Sequence, residues 1–174
     1  MFWMKLMGTF FKVLKDGATP NQIAAGFTMG FAMGMIPGWP LQVIALGLLV
    51  LLFNVNLSMA GVGMAVAVAV SWLFDPLLDG LGGWVLGIPD LHGVYTFFYN
   101  NTLLMLTRFN NTVVMGGMLA MLLAAVPLFF ASRVGVLAFR ERLLPALSRL
   151  KIVQVVRTSR FYGWYEKVNQ YRFW

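Results

Sequence analysis

Asp75 and Asp79 stand four residues apart, a spacing that puts two side chains on one face of a helix. Arg108 is the only cation between Lys15 and Arg133. Carboxylates and a guanidinium at membrane depth are costly, pair with one another, and mark ion or substrate paths. The competing expectation is structural: an Asp–Arg pair that ties two helix ends together where they leave the apolar layer. Asp90 and His92 lie in a Gly- and Pro-rich stretch, where a lone histidine is expected to be simply solvated. An enzyme acting on lipid would have to draw its acid or base from Asp75, Asp79 or His92. The chain has no cysteine, and no P-loop, nucleophile elbow, dinucleotide fingerprint or metal-ligand spacing occurs. No catalytic, metal-ligating or cofactor-binding residue is predicted, and the chain reads as a non-enzyme without a cofactor.

The elements that must position these groups are apolar. Of 174 residues, 60% are hydrophobic and 11% charged, with a mean hydropathy of +0.78. A soluble domain carries about 25% charged residues. From Gly17 to Phe74 there is no charged residue at all. This composition predicts an all-α, polytopic membrane protein. The net charge of +7 is concentrated at the ends. Lys5, Lys12 and Lys15 precede the apolar region, and Arg133, Arg140, Arg142, Arg149, Lys151, Arg157, Arg160, Lys167 and Arg172 follow it. Such flanks mark the cytoplasmic side rather than a nucleic-acid surface. Arg140, Arg142, Arg149, Lys151, Arg157 and Arg160 are the expected contacts for anionic lipid headgroups. Basic residues at both ends imply an even number of crossings, with both termini cytoplasmic.

Gly26, Gly30, Gly34 and Gly38 form a ladder with a spacing of four that runs into Pro37-Gly38-Trp39-Pro40. A glycine face lets another backbone approach closely. The first expectation is that it packs the arms of a hairpin together; the second is a homo-oligomeric seam. Thr19-Pro20 reads as an N-cap followed by a proline at N1. Pro37, Trp39 and Pro40 interrupt the helix. The pieces on either side are each about 20–25 Å long, against a hydrocarbon core of about 30 Å. Residues 20–53, broken at 37–40, therefore read as a re-entrant hairpin or as two thin passes. Gln22, Thr28, Gln42 and Asn54 are isolated polar groups near it, suited to satisfying backbone freed at the break.

A span is expected over 57–74, a loosely structured far-side region over 75–111, and a second span over 112–132 that Arg133 closes. Asn100-Asn101-Thr102 is echoed by Asn110-Asn111-Thr112, and both triplets suit helix caps. Residues 1–16, with Phe2, Leu6, Phe10 and Val13 at helical spacing, predict an interfacial amphipathic helix. Residues 133–174 predict a basic amphipathic cytoplasmic tail.

Thr19-Pro20-Asn21-Gln22 with Gly26, Gly30, Gly34 and Pro37, Asn54-Val55-Asn56-Leu57-Ser58, Asp75-Pro76-Leu77, and above all Arg108-Phe109-Asn110-Asn111-Thr112-Val113-Val114-Met115-Gly116 carry a resemblance. Together they resemble an uncharacterised family of small Gram-negative inner-membrane proteins. That family is similar to a wider group built on a domain of unknown function with a proline-broken, glycine-rich hairpin. The resemblance covers roughly Lys12 to Tyr165. It implies residence in the bacterial inner membrane, a large envelope protein as partner, and no catalytic residues to transfer. The function expected is a non-enzymatic subunit that anchors or gates a larger envelope assembly, with lipid transport between membranes as its purpose. The alternative is a small homo-oligomeric transporter, channel or lipid scramblase.

Overall fold

The structure, a computed structural model, describes residues 18–143. The expected interfacial helix over 1–16 lies outside the described residues. So does most of the basic tail, including Arg149, Lys151, Arg157 and Arg160. The described residues fall into two units divided after Val136, and all packing below is within the first. Among them there is no strand. Six α-helices follow in order: α1 Pro20–Met35, α2 Leu41–Leu52, α3 Leu57–Leu86, α4 His92–Asn100, α5 Thr102–Met105 and α6 Thr112–Ala138. A 3-10 turn, Pro89–Leu91, precedes α4, and a π-turn, Phe139–Leu143, follows α6.

Local chemistry starts these helices. Thr19 Oγ1 accepts from the Gln22 amide at 3.2 Å, and Gln22 Oε1 accepts from the Thr19 amide at 2.8 Å. With Pro20 at N1, this capping box satisfies two donors that a helix start leaves orphaned. Asn56 Oδ1 caps α3 at the Met59 amide, and Asn111 Oδ1 caps α6 at the Val114 amide, both at 2.9 Å. Asn101 caps α5 in the same way.

The glycine ladder has a definite partner, and it is not the other hairpin arm. Gly26 lies against the Asn56 carbonyl, Gly30 against Ala60 and Gly34 against Met64. Gly63 faces the Phe27 carbonyl in return. The partner number rises with the glycine number at a constant offset, so α1 and α3 run parallel. A hydrogen bond from the Asn56 amide to the Gln22 carbonyl, 3.1 Å, sets the two helix starts side by side. The expectation that the ladder joins the two arms is therefore corrected: α2 returns the chain and touches α1 and α3 only sparsely. Glycine is required because carbonyl oxygens occupy the space that a Cβ would fill.

α3 also overruns its expected end. It was expected to stop at Phe74, before Asp75-Pro76, yet it continues through Pro76 to Leu86. Pro76 removes one amide and leaves the Trp72 carbonyl without its usual donor. Apolar surroundings and packed neighbours tolerate such a break. The glycines downstream are not loop-formers. Gly82 lies against the Thr112 carbonyl, and Gly116 against that of Leu78. Here the numbers run in opposite directions, so α3 and α6 are antiparallel along a second close seam. α3 ends only at Gly87, whose amide bonds to the Gly83 carbonyl at 3.0 Å. α6 likewise passes Arg133, its expected end, and reaches Ala138.

Ala32, Met35, Ala67, Leu78 and Met121 form one core cluster, and Ile36, Val43 and Val114 another. Outside these seams and clusters much of the apolar surface is uncovered. Among the described residues two helices are long and apolar enough to cross a membrane: α3 at 30 residues, and Thr112–Arg142, which is α6 with most of its π-turn. Only 22% and 28% of their most apolar windows are buried within the chain. Leu52, Leu122 and Leu123 are each more than 70% exposed. A core helix of a soluble protein buries its apolar side chains; these helices turn theirs outward, as lipid-facing helices do.

Candidate functional site

The break in the hairpin and the loop before α6 come together and build one junction. Ile36 and Trp39 each precede a proline, which disfavours helical backbone there, and Ile36 is extended. Gly38 has φ +80°, a left-handed conformation that glycine adopts without steric cost. Pro40 then caps α2 with no side-chain hydrogen bond. The orphan amide of Leu41 finds its acceptor 65 residues on, at the Leu106 carbonyl, 2.9 Å away. Gln42 Nε2 donates to the Thr107 carbonyl at 3.0 Å. A carbonyl only accepts, so this bond fixes which end of the Gln42 amide faces it. Gln42 Oε1 is left buried without a partner, as is Thr28 Oγ1 in α1.

Arg108 closes the junction. It is the only non-glycine residue with positive φ among the described residues, at 52°. Its Nη1 lies 3.1 Å from where a Cβ on Gly38 would stand. The Arg108 carbonyl accepts from the Asn111 amide at 3.0 Å, which leads into the α6 cap. Asn110 is exposed beside it.

Beside the junction is an apolar cavity of about 160 Å³, lined by the chain neighbours of Arg108 but not by Arg108 itself. Its walls are Gln42 and Thr107 from the junction, Val94, Tyr95 and Phe98 from α4, Phe109, and Val114, Met115 and Met118 from α6. Phe109 is the hub: its ring stacks on Tyr95 at 6.2 Å and meets Phe98 edge-on at 5.4 Å. Tyr95 is anchored by its hydroxyl, which donates to the Val85 carbonyl at 2.7 Å. A shallower cleft of about 290 Å³ lies across the same rings, with Thr96, Tyr99 and Asn110 at its rim. A third space of about 520 Å³ separates α2 from α3, bounded by Trp39, Val43, Gly47, Leu51, Ala60 and Gly61 among others.

The ionisable groups do not converge as the sequence suggested. Asp79 accepts a hydrogen bond from Thr112 Oγ1, which joins the second seam. Asp75 is half-buried one turn earlier on α3. Neither pairs with Arg108, whose Nη1 lies over Gly38 instead. The expected Asp–Arg tie is thus replaced by an Asp–Thr tie between α3 and α6. His92 opens α4 with its ring 6.4 Å from that of Tyr95, and Asp90 is exposed in the 3-10 turn. Among the described residues no three His, Asp or Glu side chains cluster to hold a metal. Arg140 and Arg142 stand in the π-turn.

Sequence reasoning singled out Gln42 as a polar group for the proline break. Its actual acceptor, Thr107, belongs to another loop, and the cavity lining drew no notice, because valine, methionine and phenylalanine in an apolar chain carry no signal of their own.

A family model described as "Uncharacterized protein conserved in bacteria (DUF2062)" matches residues 7–143. A relative from Treponema pallidum (strain Nichols), described as an uncharacterized protein, is 27% identical over 156 residues. That alignment covers 90% of this chain and 96% of the relative. No solved structure matches the chain significantly.

Proposed function

The chain belongs to this DUF2062 family, and from that premise we propose that it is a non-enzymatic subunit of the bacterial inner membrane that anchors or gates a larger envelope assembly, in the service of lipid transport between membranes. The observation that carries this reading is α2. It is pinned at its N-terminus by Leu41 and Gln42 and buries Val43 and Val50, but its other face is uncovered, with Leu48, Leu51 and Leu52 exposed. An arm fixed at one end, with an apolar groove beside it, suits a helix that a partner covers or displaces.

The junction also bears on the path through the membrane. A guanidinium without an acid partner is expensive at the bilayer centre, about 3 kcal/mol on insertion scales. Arg108 and the exposed Trp39 are more at home in the interface, where arginine and tryptophan anchor membrane proteins. This favours the two-pass form of the hairpin, with its turn on the face opposite Thr19 and Asn56. Basic residues at both ends of the sequence favour cytoplasmic termini.

Purification from native membranes in mild detergent tests the subunit reading. An envelope protein should co-purify, and Gly61→Leu, which fills open space in the groove, should release it without unfolding the chain. Recovery of monomer or homo-oligomer alone would overturn the reading. A second reading, a homo-oligomeric transporter, channel or scramblase, is favoured by the broken helix and the unpartnered Gln42 Oε1 at its restart. Reconstituted liposomes without ion, proton or lipid flux would remove it.

A further inference from the structure

We propose that the junction is a phospholipid site: the Arg108 guanidinium binds the phosphate, and the apolar cavity lined by its neighbours Thr107 and Phe109 receives part of an acyl chain. The site lies on the face away from Thr19 and Asn56. The inference rests on the membrane placement argued above and not on the envelope partner.

Three observations carry it. First, Arg108 has no acid within ion-pair distance among the described residues, although it is the only cation in the centre of the sequence. Second, its backbone is held in the left-handed region. A side chain disfavours that region, and it persists only where surroundings over-determine it. The Asn111 amide bonded to its carbonyl, and the Leu106 and Thr107 carbonyls engaged by Leu41 and Gln42, supply that constraint. The guanidinium is thereby carried over Gly38, which offers no Cβ to obstruct it. Third, the residues on either side of Arg108, Thr107 and Phe109, both line the apolar cavity.

The chemistry of the two halves selects the ligand. A guanidinium presents a planar fork of donors that matches phosphate oxygens. A free phosphate would use that fork and leave the cavity unfilled. A neutral lipid would fill the cavity and leave the cation unmatched. A phospholipid uses both. The exposed Trp39 next to Gly38 suits the headgroup level at which such a ligand would bind.

The test is native mass spectrometry of the full chain in an uncharged detergent. Probes are phosphatidylglycerol, diacylglycerol with the same chains, and inorganic phosphate as competitor. Arg108→Asn removes the charge while keeping a residue that tolerates positive φ. Met118→Trp fills the cavity and leaves Arg108 in place. Phosphatidylglycerol should be retained at least about tenfold better than diacylglycerol, a margin expected of charge-assisted hydrogen bonds. R108N should reduce it to the diacylglycerol level, and M118W should weaken both lipids. Equal retention of the two lipids by the wild-type chain overturns the proposal. So does unchanged phosphatidylglycerol binding in R108N or M118W, and so does displacement by inorganic phosphate alone, which would indicate a simple anion site. If R108N fails to fold, the wild-type lipid comparison and M118W decide. Envelope capture is measured separately with Arg108 intact, so either reading can fail alone.

Discussion

Gly30→Ala is the sharpest test of the parallel seam. A Cβ at Gly30 would stand 2.6 Å from the Ala60 carbonyl carbon and 2.7 Å from its Cα, and nearer still to the oxygen. All three obstacles are backbone, so no rotamer change relieves them. The helices must part by about 1 Å, since non-bonded carbons settle at about 3.5–4.0 Å and the rest can be shared by tilting. That movement also lifts Gly26 and Gly34 from their carbonyls. Overpacking costs about 1–3 kcal/mol, and a backbone obstacle belongs at the upper end. Alanine returns about 1 kcal/mol through its better helix propensity. The net loss is about 2 kcal/mol, or a fall of about 4–8 °C in melting midpoint for a chain of this size. Thermal unfolding in detergent, followed by tryptophan fluorescence, measures it. The control is Gly61→Ala on the partner helix α3, where nothing lies within 4 Å of the added methyl, and it should melt no lower than the wild type. Because the seam is internal, the shift should not depend on protein concentration. A G30A midpoint within about 1 °C of wild type, or an equal fall in G61A, would refute the packing argument.

Further outcomes follow from the caps and the junction. Gly38→Ala should cost about 1–2 kcal/mol for its positive φ and should weaken lipid retention by crowding Arg108 at 3.1 Å, both readable on one preparation. Asn56→Ala and Asn111→Ala should each lower stability by about 1 kcal/mol through a lost cap, and unchanged melting would show that water replaces them. Thr112→Val should lose about 0.5 kcal/mol because Asp79 is exposed, and a double-mutant cycle with Asp79→Ala should show that the two effects overlap. The chain has no cysteine, so Trp39→Cys gives labelling without background. An impermeant maleimide should reach it from the face opposite the termini; labelling only after detergent would overturn the two-pass path.

The parts of the fold legible in sequence were those governed by neighbours in the chain. Thr19-Pro20, Asn101 and Asn111 act within three or four residues, and Pro37-Gly38-Trp39-Pro40 interrupts the helix before it. The parts that were not legible depend on distant residues. A spacing of four states that some backbone comes close to Gly26, Gly30 and Gly34 but does not say whose. Pro76 looks like a terminus by the rules of water-exposed helices; the glycines after it serve the seam with α6 and keep α3 going. Asp75, Asp79 and Arg108 invited pairing by charge alone, whereas Thr112 lies across the seam from Asp79 and the Arg108 backbone aims its side chain elsewhere. The Gln42–Thr107 bond joins residues 65 apart, and nothing local to either announces it.

The parallel pairing of α1 with α3 has a consequence for biogenesis. During synthesis α1 has no close partner until α3 follows, because the helix made directly after it, α2, is not the one its glycine face fits. Through that interval the ladder is a sticky, unsatisfied surface in the membrane, open to mispairing with whatever helix is near. The break at Pro37–Pro40 waits longer still, until Leu106 and Thr107 are made to accept from Leu41 and Gln42. α2 is therefore the early-made, late-settled element. Truncating the chain before Leu106 should leave α1 and α3 paired while α2 remains undocked, a half-assembled state suited to recognition by insertion factors or membrane proteases.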